Sequence, residues 1–244
     1  MQFLGVKVDE VNKEQALQKV TEFLVSGQHK IFTPNPEFVV KAQKDEYFKQ
    51  VLNSGDLNLC DGKGLELFTK IKRITGVDFV WEVCRLAAEQ NRGVYLLGSG
   101  NDEVVKKTVE ELQKKFPNLS IAGYDKGPVI NESSQSAIRS SQPNNSTIEQ
   151  INRSGAEVLF VAFGMGKQEK WIYENLSKMP NVKIAMGVGG SFDFISGKVK
   201  RAPLFLRRLG LEWLYRLIRQ PSRIGRILNA TIRFTWLVLF KKSI

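Results

Sequence analysis

Asp61 has the setting of a residue that moves a proton. It stands in Cys60-Asp61-Gly62-Lys63-Gly64, directly after a short apolar run, and the two glycines let a ligand approach the backbone. A carboxylate there could take a proton from an attacking hydroxyl. Asp-Gly after a strand is also an ordinary turn. Further stretches set polar groups beside glycine or proline. In Thr33-Pro34-Asn35-Pro36-Glu37, Asn35 either caps a helix that Pro36 opens or lines a cleft together with Thr33. Gly98-Ser99-Gly100 and Gly164-Met165-Gly166 each follow an apolar run and precede a helical one, the place where backbone N–H groups can hold phosphate. Gly187-Val188-Gly189-Gly190-Ser191-Phe192-Asp193 reads either as close backbone approach to a ligand, with Asp193 accepting from a ribose or base, or as a tight turn.

Other chemistries find few residues to work with. The only histidine is His29, so a Ser-His-Asp triad or a multi-histidine metal site has no material. Cys60 and Cys84 make neither a disulfide framework nor a CxxC metal pattern, which points to a reducing compartment. Neither glycine pair completes a dinucleotide fingerprint, because Glu103 and Glu169 hold the third glycine position. This argues against an NAD-dependent oxidoreductase, the competing enzyme class. No Asp-x-Asp motif offers a divalent-metal clamp, so charge on a diphosphate would have to be met by Arg, Lys or helix dipoles, with no metal or other cofactor.

The elements that must position these residues alternate along the chain. Strands are expected at Phe3–Val8, Lys30–Thr33, Leu57–Cys60, Gly93–Leu97, Ser120–Gly123, Glu157–Phe163 and Lys183–Val188. Helices are expected at Val11–Ser26, Pro36–Asn53, 64–73, 79–91, Glu103–Phe116 and Gln168–Lys178, with 133–153 partly helical. Runs such as Val158-Leu159-Phe160-Val161-Ala162-Phe163 suit strands buried on both faces. The fold class is therefore α/β: a Rossmann-like, largely parallel sheet flanked by helices. In such sheets ligands bind beyond the carboxyl ends of the strands, where all these stretches fall.

Charge divides the chain at residue 197. Of 36 Lys+Arg and 25 Asp+Glu, residues 198–244 hold 12 and 1, leaving 24 of each in residues 1–197. A neutral catalytic domain over 1–197 thus carries a basic helical C-terminal appendage over 198–244. The neutral body and the lack of a recognisable nucleic-acid-binding motif argue against a nucleic-acid partner. The appendage interleaves large apolar residues with arginine, as in Leu204-Phe205-Leu206-Arg207-Arg208 and Trp213-Leu214-Tyr215-Arg216. No uncharged run reaches the roughly 18–20 residues needed to span a bilayer. It reads as an interfacial segment on a membrane surface; its arginines could also reach a diphosphate, or simply be solvated on a packed helix. Met1–Lys7 lacks a long apolar stretch behind a basic one, so a cytoplasmic location, peripheral on the inner face of the membrane, is expected.

Taken in order, these stretches resemble one family. Thr33-Pro34-Asn35, Cys60-Asp61-Gly62-Lys63-Gly64, Gly164-Met165-Gly166-Lys167-Gln168-Glu169-Lys170-Trp171, Gly187 to Asp193, Gly197-Lys198-Val199-Lys200-Arg201-Ala202-Pro203 and Gly210-Leu211-Glu212-Trp213-Leu214-Tyr215-Arg216 are similar to the motifs of the WecG/TagA/CpsF glycosyltransferases. The resemblance spans essentially the whole chain. It implies an inverting, metal-independent transfer of a hexose from a UDP-sugar to undecaprenyl-diphosphate-linked N-acetylglucosamine, as in wall teichoic acid synthesis. N-acetylmannosamine is the expected sugar; glucose and N-acetylmannosaminuronate are used elsewhere in the family. Carried over by motif, Asp61 is the general base on the acceptor hydroxyl. Thr33, Asn35, Gly62 and Gln168 line the cleft, Gly189 and Asp193 belong to the nucleotide pocket, and Arg216, Arg223 and Arg226 come from the appendage. Cys60 stands where several relatives carry proline. The sequence leaves the oligomeric state open, a homo-oligomer among the options.

Overall fold

The computed structural model describes residues 1–127, 144–219, 221 and 224–240, apart from the side chains of Asn144 and Arg216. Six strands form one parallel sheet: β3 (His29–Phe32), β4 (Leu57–Asn58), β5 (Val94–Gly98), β6 (Ile121–Asp125), β7 (Val158–Ala162) and β8 (Ile184–Gly187). Their order is β4-β3-β8-β7-β5-β6. Strands alternate their side chains between the two faces. Val158, Phe160 and Ala162 enter one apolar cluster with α1 (Lys13–Val25), α5 (Gly76–Glu89) and α6 (Asp102–Lys115). Leu159 and Val161 enter the other, with α2 (Pro36–Ala42), α3 (Glu46–Asn53) and the Lys167–Asn175 helix. Both faces are dry, which is why β5, β7 and β8 are buried along their whole length.

Several expected elements divide or shift. Phe3–Val8 is not one strand but an antiparallel hairpin of β1 (Gln2–Phe3) and β2 (Val6–Lys7). Leu4 and Gly5 turn the chain with φ of +48° and +77°, the doubly positive geometry of a two-residue hairpin turn. The expected Pro36–Asn53 helix is two, because Asp45 caps a new start by accepting from Phe48 N–H. The helices expected at 64–73 and 79–91 are Lys63–Thr69 and Gly76–Glu89; Thr75 caps the second by accepting from Asp78 N–H. Ser120–Gly123 shifts to Ile121–Asp125. The start of the 133–153 reading lies outside the described residues; a helix covers Asn144–Ser154. A short helix at Ser191–Ile195, with no counterpart in the sequence reading, follows β8.

The basic C-terminal segment is helical: Leu204–Arg208, Glu212–Arg219, Ile224–Leu228, a π-helical turn at Asn229–Arg233, and Phe234–Phe240. It docks through an apolar plug and a polar fringe. Phe234 is 1 % exposed and joins the core of the α2 face, tilted against Phe3 and edge-to-face with Phe68. Gly210 lies so close to Lys63 that a Cβ there would stand 2.5 Å from Lys63 Cγ. Arg201 pairs with Asp78, and an Arg73 guanidinium nitrogen donates to the Arg207 carbonyl at 3.4 Å.

Candidate active site

The carboxyl ends of β3, β4, β7 and β8 bring the motif residues to one edge of the sheet. At the β3–β4 end, Leu59 N–H donates to Phe32 O and Asp61 N–H to Pro34 O, so the Asp61 loop runs alongside the Thr33–Asn35 loop. The chain returns there after the Lys63–Thr69 helix: Ile74 N–H donates to Cys60 O and Gly76 N–H to Asp61 Oδ2 at 3.3 Å. A Cβ on Gly76 would stand 3.5 Å from Thr33 Oγ1 and 3.6 Å from Asp61 Oδ2. Thr33 and Asp61 therefore flank the first residue of α5, and the positive end of that helix faces the carboxylate.

Asp61 is half-buried and keeps part of its surface open. Burial pushes its carboxyl up to about 6, against the pull of the Arg73 guanidinium and the Gly76 N–H; Glu212 and Asp78 push it further up. Such a carboxylate is ionised near neutral pH and still basic enough to accept a proton. Gly62, at φ +106°, packs 3.0 Å from Pro36 Cδ if given a Cβ, so this turn is closed to larger residues.

Asn35 caps α2, its Oδ1 accepting from Glu37 N–H at 2.9 Å and Phe38 N–H at 3.2 Å. Gln168 is 2 % exposed and joins two loops: its Oε1 accepts from Gly164 N–H at 3.2 Å and Gly189 N–H at 2.9 Å. Its Nε2 donates to Glu169 Oε1 at 2.7 Å. Gly189 itself adopts φ +53° beside open space. Asp193 lies on the Ser191–Ile195 helix with a carboxylate oxygen 3.5 Å from Lys198 Nζ. Arg226 makes a two-pronged pair with Glu37, at 2.7 and 2.9 Å. The side chain of Arg216, and Arg223 altogether, lie outside the described residues.

The phosphate reading of the two glycine pairs changes. Ser99 N–H donates to Ala162 O and Gly100 N–H to Lys126 O. Gly98 is needed for packing, since a Cβ would meet the Ala162 backbone at 2.7 Å. In the second pair Gly164 N–H is taken by Gln168 and Gly166 N–H by Glu169 Oε2 at 2.6 Å. These amides are committed to the protein's own acceptors, so an anion here must be met mainly by side-chain cations.

Sequence reasoning missed Arg73, Glu212 and Glu169. Arg73 was read as the end of a helix over 64–73, whereas the helix stops at Thr69 and leaves Arg73 in the irregular return towards Asp61; Glu212 is far from Asp61 in sequence. Glu169 is fully buried, and burial lifts its carboxyl to about 7 against its hydrogen bonds from Gln168 and Gly166. Its place beside Gln168 was the available signal. Among the described residues no group of three or more His, Cys, Asp or Glu is arranged to hold a metal ion.

The model of a family described as "Glycosyl transferase WecG/TagA/CpsF family" matches residues 1–244. The N-acetylglucosaminyldiphosphoundecaprenol N-acetyl-beta-D-mannosaminyltransferase of Bacillus subtilis (strain 168) is 36% identical over 205 residues, which are 82% of this chain and 75% of that protein. The protein of the same name from Bacillus spizizenii (strain ATCC 23059 / NRRL B-14472 / W23) is 34% identical over 205 residues, 82% of this chain and 74% of that protein. That of Staphylococcus aureus (strain MW2) is 29% identical over 238 residues, 94% of this chain and 88% of that protein. With a match over its full length and relatives at this level, the chain belongs to the glycosyl transferase WecG/TagA/CpsF family.

Proposed function

We propose that this protein transfers N-acetylmannosamine from a UDP-sugar to N-acetylglucosaminyldiphosphoundecaprenol, with inversion at the anomeric carbon. The observation that carries the reading is Asp61: a half-buried carboxylate raised to about 6, held by one long backbone hydrogen bond beside Thr33. In the reaction, Asp61 takes the proton of the acceptor hydroxyl as that oxygen bonds to the anomeric carbon, and the bond to UDP breaks with its electron pair leaving on the diphosphate. Arg73 keeps Asp61 ionised and Thr33 orients the sugar beside it. Gln168 holds the loops after β7 and β8 at a fixed spacing, so its role is to shape the pocket rather than to touch the reacting atoms. Gly189 and Asp193 border the nucleotide. Asn35 holds the start of α2, and Gly62 keeps the turn beside Asp61 tight. Arg216, Arg223 and Arg226 supply positive charge from a C-terminal unit (198–244) distinct from a catalytic unit (1–197). Between them these cations meet the two substrate diphosphates without a metal ion.

The acceptor is lipid-linked, and the C-terminal segment suits a peripheral place on the membrane surface. Twelve of the nineteen large apolar residues exposed among the described ones lie between Leu204 and Phe240. Arginines are interleaved with them, and each is worth roughly 1 kcal/mol near an anionic surface. No helix among the described residues is long and apolar enough to cross a membrane. The test is mass spectrometry of products from a synthetic lipid-diphosphate-GlcNAc acceptor and a panel of UDP-hexoses, with and without a chelator. Consumption of UDP-N-acetylmannosamine alone, unaffected by chelation, is expected. A different donor would rename the sugar, loss of turnover on chelation would bring in a metal, and no UDP binding would end the reading.

A further inference from the structure

Between the α/β core and residues 224–233 lies a cavity of about 570 Å³. Five cations line it, Lys41, Lys44, Lys167, Arg226 and Arg233, against the two carboxylates Glu37 and Asp45. Both carboxylates are engaged: Asp45 is 2.7 Å from Lys170 Nζ and Glu37 grips Arg226. Among the described residues its wall therefore carries more cations than carboxylates. The loop amides nearest to it, those of Gly164 and Gly166, are already taken by Gln168 and Glu169. Such a wall suits an anion with several oxygens.

The wall offers more than charge. Val40, Phe163 and Met165 face the same space. Arg226, Asn229 and Arg233, spaced three and four apart, line the cavity. Ile224, Leu228, Ile232 and Trp236, spaced four apart on the same stretch, are exposed at 54, 46, 65 and 58 %. Both sets lie on the helical segment that ends the described chain. The first set lines the cavity and the second is apolar and exposed. A diphosphate that carries a hydrocarbon chain matches both; a nucleoside diphosphate matches only the first.

We propose that this cavity seats the diphosphate of the lipid-linked acceptor, and that Glu37 occupies Arg226 until that anion displaces it. The proposal rests on the transferase reading and assigns one of its two diphosphates. The donor diphosphate then lies elsewhere on the same edge of the sheet, and both substrates can be bound at once.

The test uses the full chain and calorimetric titration with farnesyl diphosphate, inorganic pyrophosphate and UDP. Farnesyl diphosphate is expected to bind with undiminished affinity when UDP is already saturating, and more tightly than pyrophosphate. Lys44→Gln, an exposed position, is expected to weaken farnesyl diphosphate about tenfold, the loss of one charge-assisted contact, and to leave UDP affinity unchanged. Glu37→Gln, which removes the competitor, is expected to strengthen farnesyl diphosphate, and the unchanged melting curve of either variant would exclude misfolding. Mutual displacement of farnesyl diphosphate and UDP would overturn the assignment in favour of the donor. Pyrophosphate binding as tightly as farnesyl diphosphate would reduce the cavity to a plain anion site, and an unchanged Lys44→Gln would remove it altogether. If the titrations come out as expected but no UDP-sugar is turned over, the transferase reading fails and the anion site stands. If turnover occurs with the acceptor KM unmoved by Lys44→Gln, the reverse holds.

Discussion

Two carboxylates stand on the same edge of the sheet, and they are held in opposite ways. Glu169, after β7, is 0 % exposed, and its two oxygens accept from Gly166 N–H at 2.6 Å and Gln168 Nε2 at 2.7 Å. Asp61, after β4, accepts one backbone hydrogen bond at 3.3 Å and is only half-buried. Burial raises both, Glu169 to about 7 and Asp61 to about 6. A raised carboxyl alone thus does not separate a structural acid from a chemical one. What separates them is the use of the lone pairs. Those of Glu169 hold the loop in place, whereas Asp61 keeps accepting capacity that a substrate proton can use.

The sharpest way to break the comparison is to remove each carboxylate's charge in turn. Asp61→Asn is expected to lower kcat by about 10²–10⁴, with UDP affinity and the melting curve nearly unchanged; turnover near the wild-type rate would take the base role from Asp61. Glu169→Ala is expected to do the converse. It strands Gly166 N–H and the Gln168 amide, at a cost on the order of 2–4 kcal/mol, read as an earlier denaturant midpoint. If it instead abolishes kcat in a fully folded protein, the structural assignment of Glu169 is wrong.

The titrations refine the contrast further. Both groups have folded values above their ordinary ones, so the folded state binds more protons than the unfolded between the two values, and stability falls as pH rises across that window. For Glu169 the window runs from 4.5 to about 7. Glu169→Gln should flatten that part of the wild-type stability profile, measured by denaturation at several pH values. Asp61 should show in kinetics instead, with kcat rising as pH passes about 6. The smallest effect is expected from Arg73→Gln. Loss of the nearby cation should move the kinetic rise to higher pH while leaving the Glu169 window alone. A profile that does not move would detach Arg73 from Asp61.

Much of this site was legible before the fold was known. Asp61, Thr33 and Asn35 were marked by polar groups beside glycine or proline after apolar runs, and the sheet edge does assemble them. Gln168 was marked too, but only its contacts reveal a clamp: its Oε1 bridges amides of two loops that are 25 residues apart, Gly164 and Gly189. The glycine pairs misled in a simple way. A glycine that admits a phosphate and one that lets a neighbouring backbone pass look alike in sequence, and Gly98 proved to be the second kind. Element ends slipped where a short side chain made a local choice, as Asp45 did in splitting one helical run.

Alternation of apolar runs with amphipathic ones determined the α/β class by itself, because strand and helix periods are local properties of the chain. The counting of charges likewise placed the whole positive excess after residue 197. Only the tertiary structure decided which groups face one another. Arg226 reaches Glu37 across 189 residues, and Phe234 fills the core beside Gly64 and Pro36. Hydrogen bonds, ion pairs and burial depend on distances of a few ångström between segments remote in sequence. No residue's neighbours along the chain encode such distances; they exist only once the sheet is closed and the C-terminal segment is packed upon it.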